Sequence, residues 1–183
     1  MNSNNKDSSN IETDIKSFLV IGIGNSLLSD DGVGLHVIER AKKSLNNLDS
    51  FVDFKQNCTA GLDILYDIEG YNKVLLIDCM KTGRYKPGTF ITLQMDNLEH
   101  FRQNVTTDSH ALNLLTTIDA GKMCGYKMPR NIIILAIEGA DITTFSENLT
   151  KDVEKCVDSI IQQIKHIILS WIKDEQLCVN FPP

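Results

Sequence analysis

The side chains of this sequence that are best placed to take part in chemistry are two carboxylates and one imidazole. Asp31 lies in an acidic turn after the first apolar run, Asp78 directly follows the third, and His110 begins a predicted helix. Oxygen and nitrogen ligands without thiolate suit a divalent transition ion, and three protein ligands leave coordination positions open for water or a substrate. The three residues therefore form a candidate open metal site, if the fold brings their distant segments together.

Each of these residues also has an ordinary structural interpretation. Asp30 and Asp31 could cap the helix that follows them, because carboxylates favour the positive N-terminal end of a helix. One carboxylate is enough for a cap, so the other stays available for different work. Asp78 could accept hydrogen bonds from loop amides, and His110 could be structural or solvated. The residue types alone leave both interpretations open.

The glycines before the acidic turn match a nucleotide-binding loop poorly. Gly22 and Gly24 follow a strand, but the third glycine of G-x-G-x-x-G would fall on Leu27. The loop is also long, and its two aspartates would repel a pyrophosphate at the helix N-terminus. A dinucleotide is therefore disfavoured, and no resident organic cofactor is expected.

The elements that must position these residues alternate between strand and helix. Apolar runs predict strands at 18–23, 51–54, 73–77 and 131–137, with an edge strand at 89–93. Helical spacing of apolar residues predicts helices at 37–45, 62–68, 110–118 and 153–171. This alternation predicts an α/β three-layer sandwich, a twisted, mostly parallel sheet flanked by helices on both faces. In such a fold the site lies beyond the C-terminal ends of the strands, where strand order reverses.

Composition limits the class of protein. The 183 residues predict a single domain at 17–173, between an N-terminal tail (1–16) and a C-terminal tail (174–183). A net charge of -6 disfavours a nucleic-acid partner, and no apolar run is long enough to predict a membrane span. Residues 1–16 lack the pattern of a signal peptide. The five scattered cysteines, without a C-x-x-C pair, fit a reducing cytoplasm.

Over residues 18–171, which include Asp31, Asp78 and His110, the chain resembles the hydrogenase maturation endopeptidases. Residues 22–34 match that family's signature G-x-G-N-x-L-x-x-D-[DE]-x-x-G. The family's T-A-G is matched by 59–61, after the second strand, and Pro-Gly-Thr at 87–89 leads into the fourth. One departure is 136–140, where the family commonly has Gly before and Pro after an I-[EQ] pair.

The resemblance implies a function and a site. It implies an α/β sandwich whose metal-binding trio corresponds to Asp31, Asp78 and His110. It also implies one proteolytic cut near the C-terminus of a [NiFe]-hydrogenase large-subunit precursor, made after nickel has been loaded. The expected partner is therefore the nickel-loaded precursor, and the substrate supplies the nickel.

Two mechanisms are compatible with this assignment, and two other functions compete with it. If Asp31, Asp78 and His110 fill open positions on the substrate's nickel, a precursor without metal is not recognised. The ion could then act as a Lewis acid with Asp31 or Asp78 as general base, or the two carboxylates could act alone as in aspartic proteases. A thiol hydrolase would instead use Cys79 as nucleophile and His110 as base. A non-enzymatic metal-binding or flavodoxin-like module could share the fold.

Overall fold

The computed structural model describes residues 17–58, 61–94 and 110–180, with side chains for all of these except 110–115 and 177–180. Its strands are β1 (Phe18–Ile23), β2 (Val52–Asn57), β3 (Lys73–Met80), β4 (Phe90–Gln94) and β5 (Asn131–Glu138). Its α-helices are α1 (Val33–Ser44), α2 (Ile64–Ile68), α3 (His110–Met123) and α4 (Lys151–Asn180). Short 3-10 helices at Ser29–Gly32 and Asn46–Leu48 flank α1. The predicted alternation of strands and helices is confirmed.

The five strands form one sheet in the order β2-β1-β3-β5-β4. β1, β2, β3 and β5 are parallel, and β4 is the antiparallel edge strand. Helices α1 and α4 pack on one face, and α2 and α3 on the other. The predicted three-layer α/β sandwich is therefore confirmed. The chain leaves β1 for β2 on one side and continues at β3 on the other, so strand order reverses between β1 and β3.

Burial on both faces explains why the central strands are easy to recognise in the sequence. All six residues of β1 are buried, and so are all residues of β3 and β5 after the first. Successive side chains alternate between the two cores: Phe18 and Val20 face α1 and α4, and Leu19 and Ile21 face α2 and α3. A strand covered on both sides is apolar at nearly every position, which gives a continuous run.

Two strands extend further than their apolar runs. β2 continues to Asn57, because Lys55 and Gln56 pair in register with β1 although their side chains are polar. β3 continues to Met80, since its last three residues pair with 136–138 of β5. Asp78 therefore lies inside the strand and not after it, which corrects the prediction.

Helix α4 also extends beyond its predicted end. The sequence predicts a tail from Asp174 onwards, but the helix continues to Asn180. Lys73 donates a hydrogen bond to Asp174 at 3.4 Å, and Asn72 donates to Glu175 at 2.9 Å. These contacts tie the helix to the start of β3, so the predicted tail is wrong over 174–180. The other predicted tail residues lie outside the described part of the chain. No helix within that part is long and apolar enough to cross a membrane.

Candidate functional site

Three glycines hold the acidic turn against the sheet. A Cβ on Gly34 would lie 2.6 Å from the carbonyl oxygen of Ile77, and one on Gly22 would overlap the carbonyl of Gly34. Gly24 has φ +145° and its Cβ position is filled by the carbonyl of Asp31. Because these positions carry no side chain, the first turn of α1 rests directly on the C-terminal ends of β1 and β3. Close backbone packing thus accounts for the glycines without a bound phosphate.

Asp30 connects this turn to the loop between β5 and α4. Its carboxylate is fully buried and accepts four hydrogen bonds. The donors are the backbone amides of Ala140 (2.8 Å), Asp141 (3.0 Å) and Thr150 (2.7 Å) and the hydroxyl of Thr150 (2.9 Å). Neither Asp30 nor Asp31 makes a side-chain capping bond to the helix. The capping interpretation is therefore wrong, and the loop that departs from the family pattern is anchored by Asp30.

Asp30→Ala is expected to lower the free energy of unfolding by about 2–4 kcal/mol, because it leaves hydrogen-bond donors of the facing loop buried without an acceptor. Urea unfolding followed by circular dichroism measures the change. Asp49→Ala is the matched control, since Asp49 is exposed at the other end of α1, and we expect it to be near neutral. Equal midpoints for the two variants would contradict the anchoring role.

Asp31 keeps one oxygen available. The side chain is 9% exposed, and its Oδ2 accepts a hydrogen bond from the backbone amide of Asn25 at 3.0 Å. The Asn25 side chain in turn accepts from the amide of Leu27 at 3.0 Å, which shapes the loop before the turn. None of the described residues donates a hydrogen bond to Asp31 Oδ1. Asp31 is thus oriented by one oxygen, and the other can bind a ligand.

Asp78 lies close to Asp31. It is 2% exposed in β3, and the 3-10 turn that carries Asp31 packs against this strand. Burial raises the pKa of the neighbouring Cys79 thiol, and the negative charges of Asp78 and then Asp31 raise it further. Both carboxylates therefore act on the same sulfur. The structure brings these two predicted site residues together where strand order reverses.

The same surroundings make Cys79 a poor nucleophile. The side chain is 5% exposed, and burial together with nearby carboxylates holds the pKa of the thiol well above its ordinary value. Thiolate, which is the reactive form, is therefore scarce at neutral pH. The thiol-hydrolase alternative is disfavoured on this ground.

Iodoacetamide at pH 8 is expected to modify Cys58 and Cys124, which are exposed, and to leave Cys79 intact. Peptide mass spectrometry after brief labelling measures this pattern, and labelling in denaturant provides the control in which Cys79 reacts. Modification of Cys79 as fast as Cys58 in the folded protein would contradict the description of its environment.

His110 begins α3, as predicted, although its side chain lies outside the described set. After α3 ends at Met123, the chain turns into β5 at Asn131, the end of the sheet opposite the acidic turn. A helix of 14 residues is about 20 Å long, so its first residue lies towards the C-terminal ends of the strands. α3 also packs against β3. Its backbone position is compatible with a third ligand, and coordination by His110 stays a prediction.

The described side chains alone contain no group of three or more His, Cys, Asp or Glu that could hold a metal ion. Two carboxylates, from Asp31 and Asp78, are in place, and the predicted third ligand is not among those side chains. Carboxylate oxygens suit a divalent cation. An ion bound here would thus depend on further ligands, and a ligand carried by a substrate could supply them.

Sequence reasoning missed Glu138, the last residue of β5. Its side chain is 1% exposed and accepts hydrogen bonds from the amides of Thr82 (2.9 Å) and Gly83 (2.7 Å) and from the Thr82 hydroxyl (2.6 Å). Glu138 therefore fixes the loop between β3 and β4 beside the site. A charged residue that closes an otherwise apolar strand is the signal that could have identified it.

Fold and site together define a doubly wound α/β protein with two buried carboxylates at the point of strand reversal. The model of the hydrogenase maturation protease family HycI matches residues 35–167. The chain therefore belongs to the hydrogenase maturation protease family.

Individual relatives agree with this assignment. The chain is 24% identical to the hydrogenase 2 maturation protease of Escherichia coli over 146 residues, which cover 80% of this chain and 87% of the relative. It is 25% identical to a putative hydrogenase maturation protease of Methanocaldococcus jannaschii over 158 residues, 82% and 97% of the two chains. The solved hydrogenase maturating endopeptidase HybD from E. coli superposes with a TM-score of 0.70 at 21% identity, covering 84% of this chain and 92% of that one. HybD from Thermococcus kodakarensis gives 0.64 at 18% identity, covering 82% and 98%. The structural likeness shows a shared fold.

Proposed function

We propose that this chain is an endopeptidase that removes the C-terminal extension of a [NiFe]-hydrogenase large-subunit precursor after nickel insertion. The observation that carries the proposal is that Asp31 and Asp78 lie close together, because the 3-10 turn that carries Asp31 packs against β3. Membership in the hydrogenase maturation protease family supports the reaction type. The four cysteines whose side chains are described are free, which suits a reducing compartment, and the proposal places the reaction in the cytoplasm.

Selection in this proposal works through the nickel of the substrate. Asp31, Asp78 and His110 occupy coordination positions that the immature nickel centre leaves open, so the ion bridges the two proteins. A nickel-free precursor lacks these bonds and is discriminated against by coordination energy. The peptide next to the nickel centre is thereby held against the two carboxylates.

Bond cleavage in this proposal needs a base and a polarised carbonyl. Asp31 is the better candidate base, because its Oδ1 accepts no hydrogen bond from the described residues whereas Asp78 is nearly fully buried. Once the nickel centre is docked, this oxygen exchanges its bond to nickel for a hydrogen bond to the attacking water. A water held by Asp31 loses a proton to the carboxylate and attacks the scissile carbonyl carbon; the peptide C–N bond then breaks and the leaving amine takes that proton from Asp31. The substrate's nickel polarises the carbonyl oxygen in the metal-assisted form. In the aspartic-type form, a protonated Asp78 donates a hydrogen bond to that oxygen instead.

Intact-mass spectrometry of the nickel-loaded precursor tests the reaction itself. We expect incubation with the purified chain to produce one new large-subunit mass and one C-terminal peptide, whose masses together equal the precursor plus one water. A binding-only module would leave the precursor mass unchanged at every enzyme concentration. Several scattered cuts would indicate a general protease and would also contradict the proposal.

A further inference from the structure

A positively charged loop borders the site. Residues 81–88, here called the basic rim loop, connect β3 to β4 at the end of the sheet where Asp78 lies. The loop carries Lys81, Arg84 and Lys86, and no residue of 81–94 is acidic, although the whole chain has a net charge of -6. The loop is therefore a local exception to the charge of the protein.

Buried contacts fix the backbone of this loop. The carboxylate of Glu138 holds Thr82 and Gly83, and the Thr82 hydroxyl accepts a hydrogen bond from the amide of Arg84 at 3.1 Å. At the far end, Gly88 donates a backbone hydrogen bond to Glu138 at 2.8 Å. The stretch between these anchors, 84–86, has exposed side chains. Two cations and a tyrosine are thus presented from a fixed backbone.

The basic rim loop is connected to the acidic turn. The ammonium group of Lys81 donates to the carbonyl oxygens of Gly139 (2.9 Å) and Ala140 (2.7 Å). The amide of Ala140 in turn donates to Asp30, the neighbour of Asp31. Lys81 also follows Asp78 by three positions, about 10 Å along a strand. A peptide bound at the two carboxylates would pass close to the loop.

The charges of Arg84 and Lys86 are not neutralised by any residue that the structure describes. Within the described part of the chain, neither residue forms an ion pair. Both oxygens of Glu138 already accept hydrogen bonds from Thr82 and Gly83. Asp152, whose backbone packs against Gly88, pairs with Lys155 at 3.0 Å. Arg84 and Lys86 are therefore available to an external anion.

We infer that the basic rim loop binds a carboxylate of the precursor, close in sequence to the bond that is cut. This inference rests on the proposed function and names the chemistry of its substrate. An extended peptide spans roughly 3.3–3.6 Å per residue. Because the loop begins three positions after Asp78, the carboxylate lies within roughly six residues of the cut. Arginine pairs with carboxylates through two parallel hydrogen bonds, and Lys86 adds a second charge. The carboxylate belongs either to Asp and Glu side chains or to the free C-terminus of the extension.

Charge reversal tests the inference. Arg84→Glu with Lys86→Glu is compared with Lys165→Glu plus Lys173→Glu, an equal change in net charge on exposed positions of α4. For cleavage of nickel-loaded precursor at low salt, we expect the loop variant to raise KM about tenfold and to leave kcat within about twofold, because exposed charges at a binding rim affect encounter more than chemistry. The effect should shrink as salt is raised. The control variant should match wild type.

Two altered precursors identify the source of the carboxylate. In one, a neutral Gly-Ser extension of roughly ten residues moves the C-terminal carboxylate away. In the other, Asp and Glu within roughly six residues of the cut become Asn and Gln. Either altered precursor supports the inference if it raises KM for wild type but not for the loop variant. A rise with the extended precursor assigns the carboxylate to the C-terminus, and a rise with the Asn and Gln precursor assigns it to side chains. No rise with either precursor overturns it.

Failure of the inference is distinguishable from failure of the proposed function. If wild type cuts the precursor and the loop variant has the same KM at all salt concentrations, the inference fails and the function stands. If wild type does not cut, the substrate stays intact and the same comparison is made by equilibrium binding, where a tenfold rise in Kd still supports the inference. Competition by single-stranded DNA at the potency of the precursor would show a general polyanion site and would overturn it.

Discussion

Replacing Asp31 with asparagine is expected to slow cleavage of nickel-loaded precursor by roughly a thousandfold, within the range for loss of a general base. The amide oxygen of asparagine can still accept the hydrogen bond from Asn25, so the loop should keep its shape. The negative charge and the available ligand oxygen are lost together. Single-turnover kinetics with excess enzyme measure the rate, and circular dichroism confirms the fold.

Two further variants make the Asp31 result specific. Asp49→Asn is the same chemical change at an exposed position near the opposite end of the sheet, and its rate should match wild type. Asp78→Asn should be as slow as Asp31→Asn, and the double variant only slightly slower, because residues that act as a unit are not additive. A rate for Asp31→Asn within about threefold of wild type would exclude it as the base or an essential ligand, since either role requires a larger loss.

Gly34→Ala is expected to be strongly destabilising, at more than about 4 kcal/mol. An added methyl would lie 2.6 Å from the carbonyl oxygen of Ile77 and closer still to that of Ile23. These atoms belong to central strands of a parallel sheet and cannot move without breaking the pairing of β1 with β3. Denaturant unfolding or soluble yield measures the loss.

Gly61→Ala provides the control for this substitution. An added methyl at Gly61 meets no atom of the described residues within 4 Å, so the stability of this variant should stay close to that of wild type. If Gly34→Ala unfolded at the same denaturant concentration as Gly61→Ala, the first turn of α1 could not rest on the strand ends as described. The position of Asp31 above β3 would then need a different explanation.

The sequence predicted best those features that follow from local patterns. β1 was identified with both its bounds, because a strand buried on two faces is apolar at each position. The end of β2 was not, since Lys55 and Gln56 join the sheet through backbone pairing that their side chains do not reveal. The helical stretch after Trp171 was missed for a similar reason: contacts of Asp174 and Glu175 with the start of β3 are distant in sequence.

The site was predictable in position but not in its division of labour. In a parallel sheet with one reversal of strand order, Asp31 and Asp78 lie at the same end of the sheet, towards the C-terminal ends of the strands. This placement does not depend on the contacts of their side chains. That Asp30 is structural depends on Ala140, Asp141 and Thr150, more than 100 positions along the chain. The role of Glu138 likewise requires a loop some 55 residues away. The family resemblance implied Asp31, Asp78 and His110 as ligands, which stays a prediction, and the structure supplied the reason why Asp31 differs from Asp30.

The cleavage ratio between nickel-loaded and nickel-free precursor tests the central claim most directly. Both forms of the same large-subunit precursor are incubated with the purified chain, and cutting is followed by intact-mass spectrometry. Recognition through Asp31, Asp78 and His110 predicts that the nickel-loaded form is cleaved at least about a hundredfold faster than the nickel-free form. The nickel-free precursor cannot form the three metal–ligand bonds, and each of them contributes about as much binding energy as a charge-assisted hydrogen bond. Equal rates for the two forms would contradict selection through the substrate's nickel.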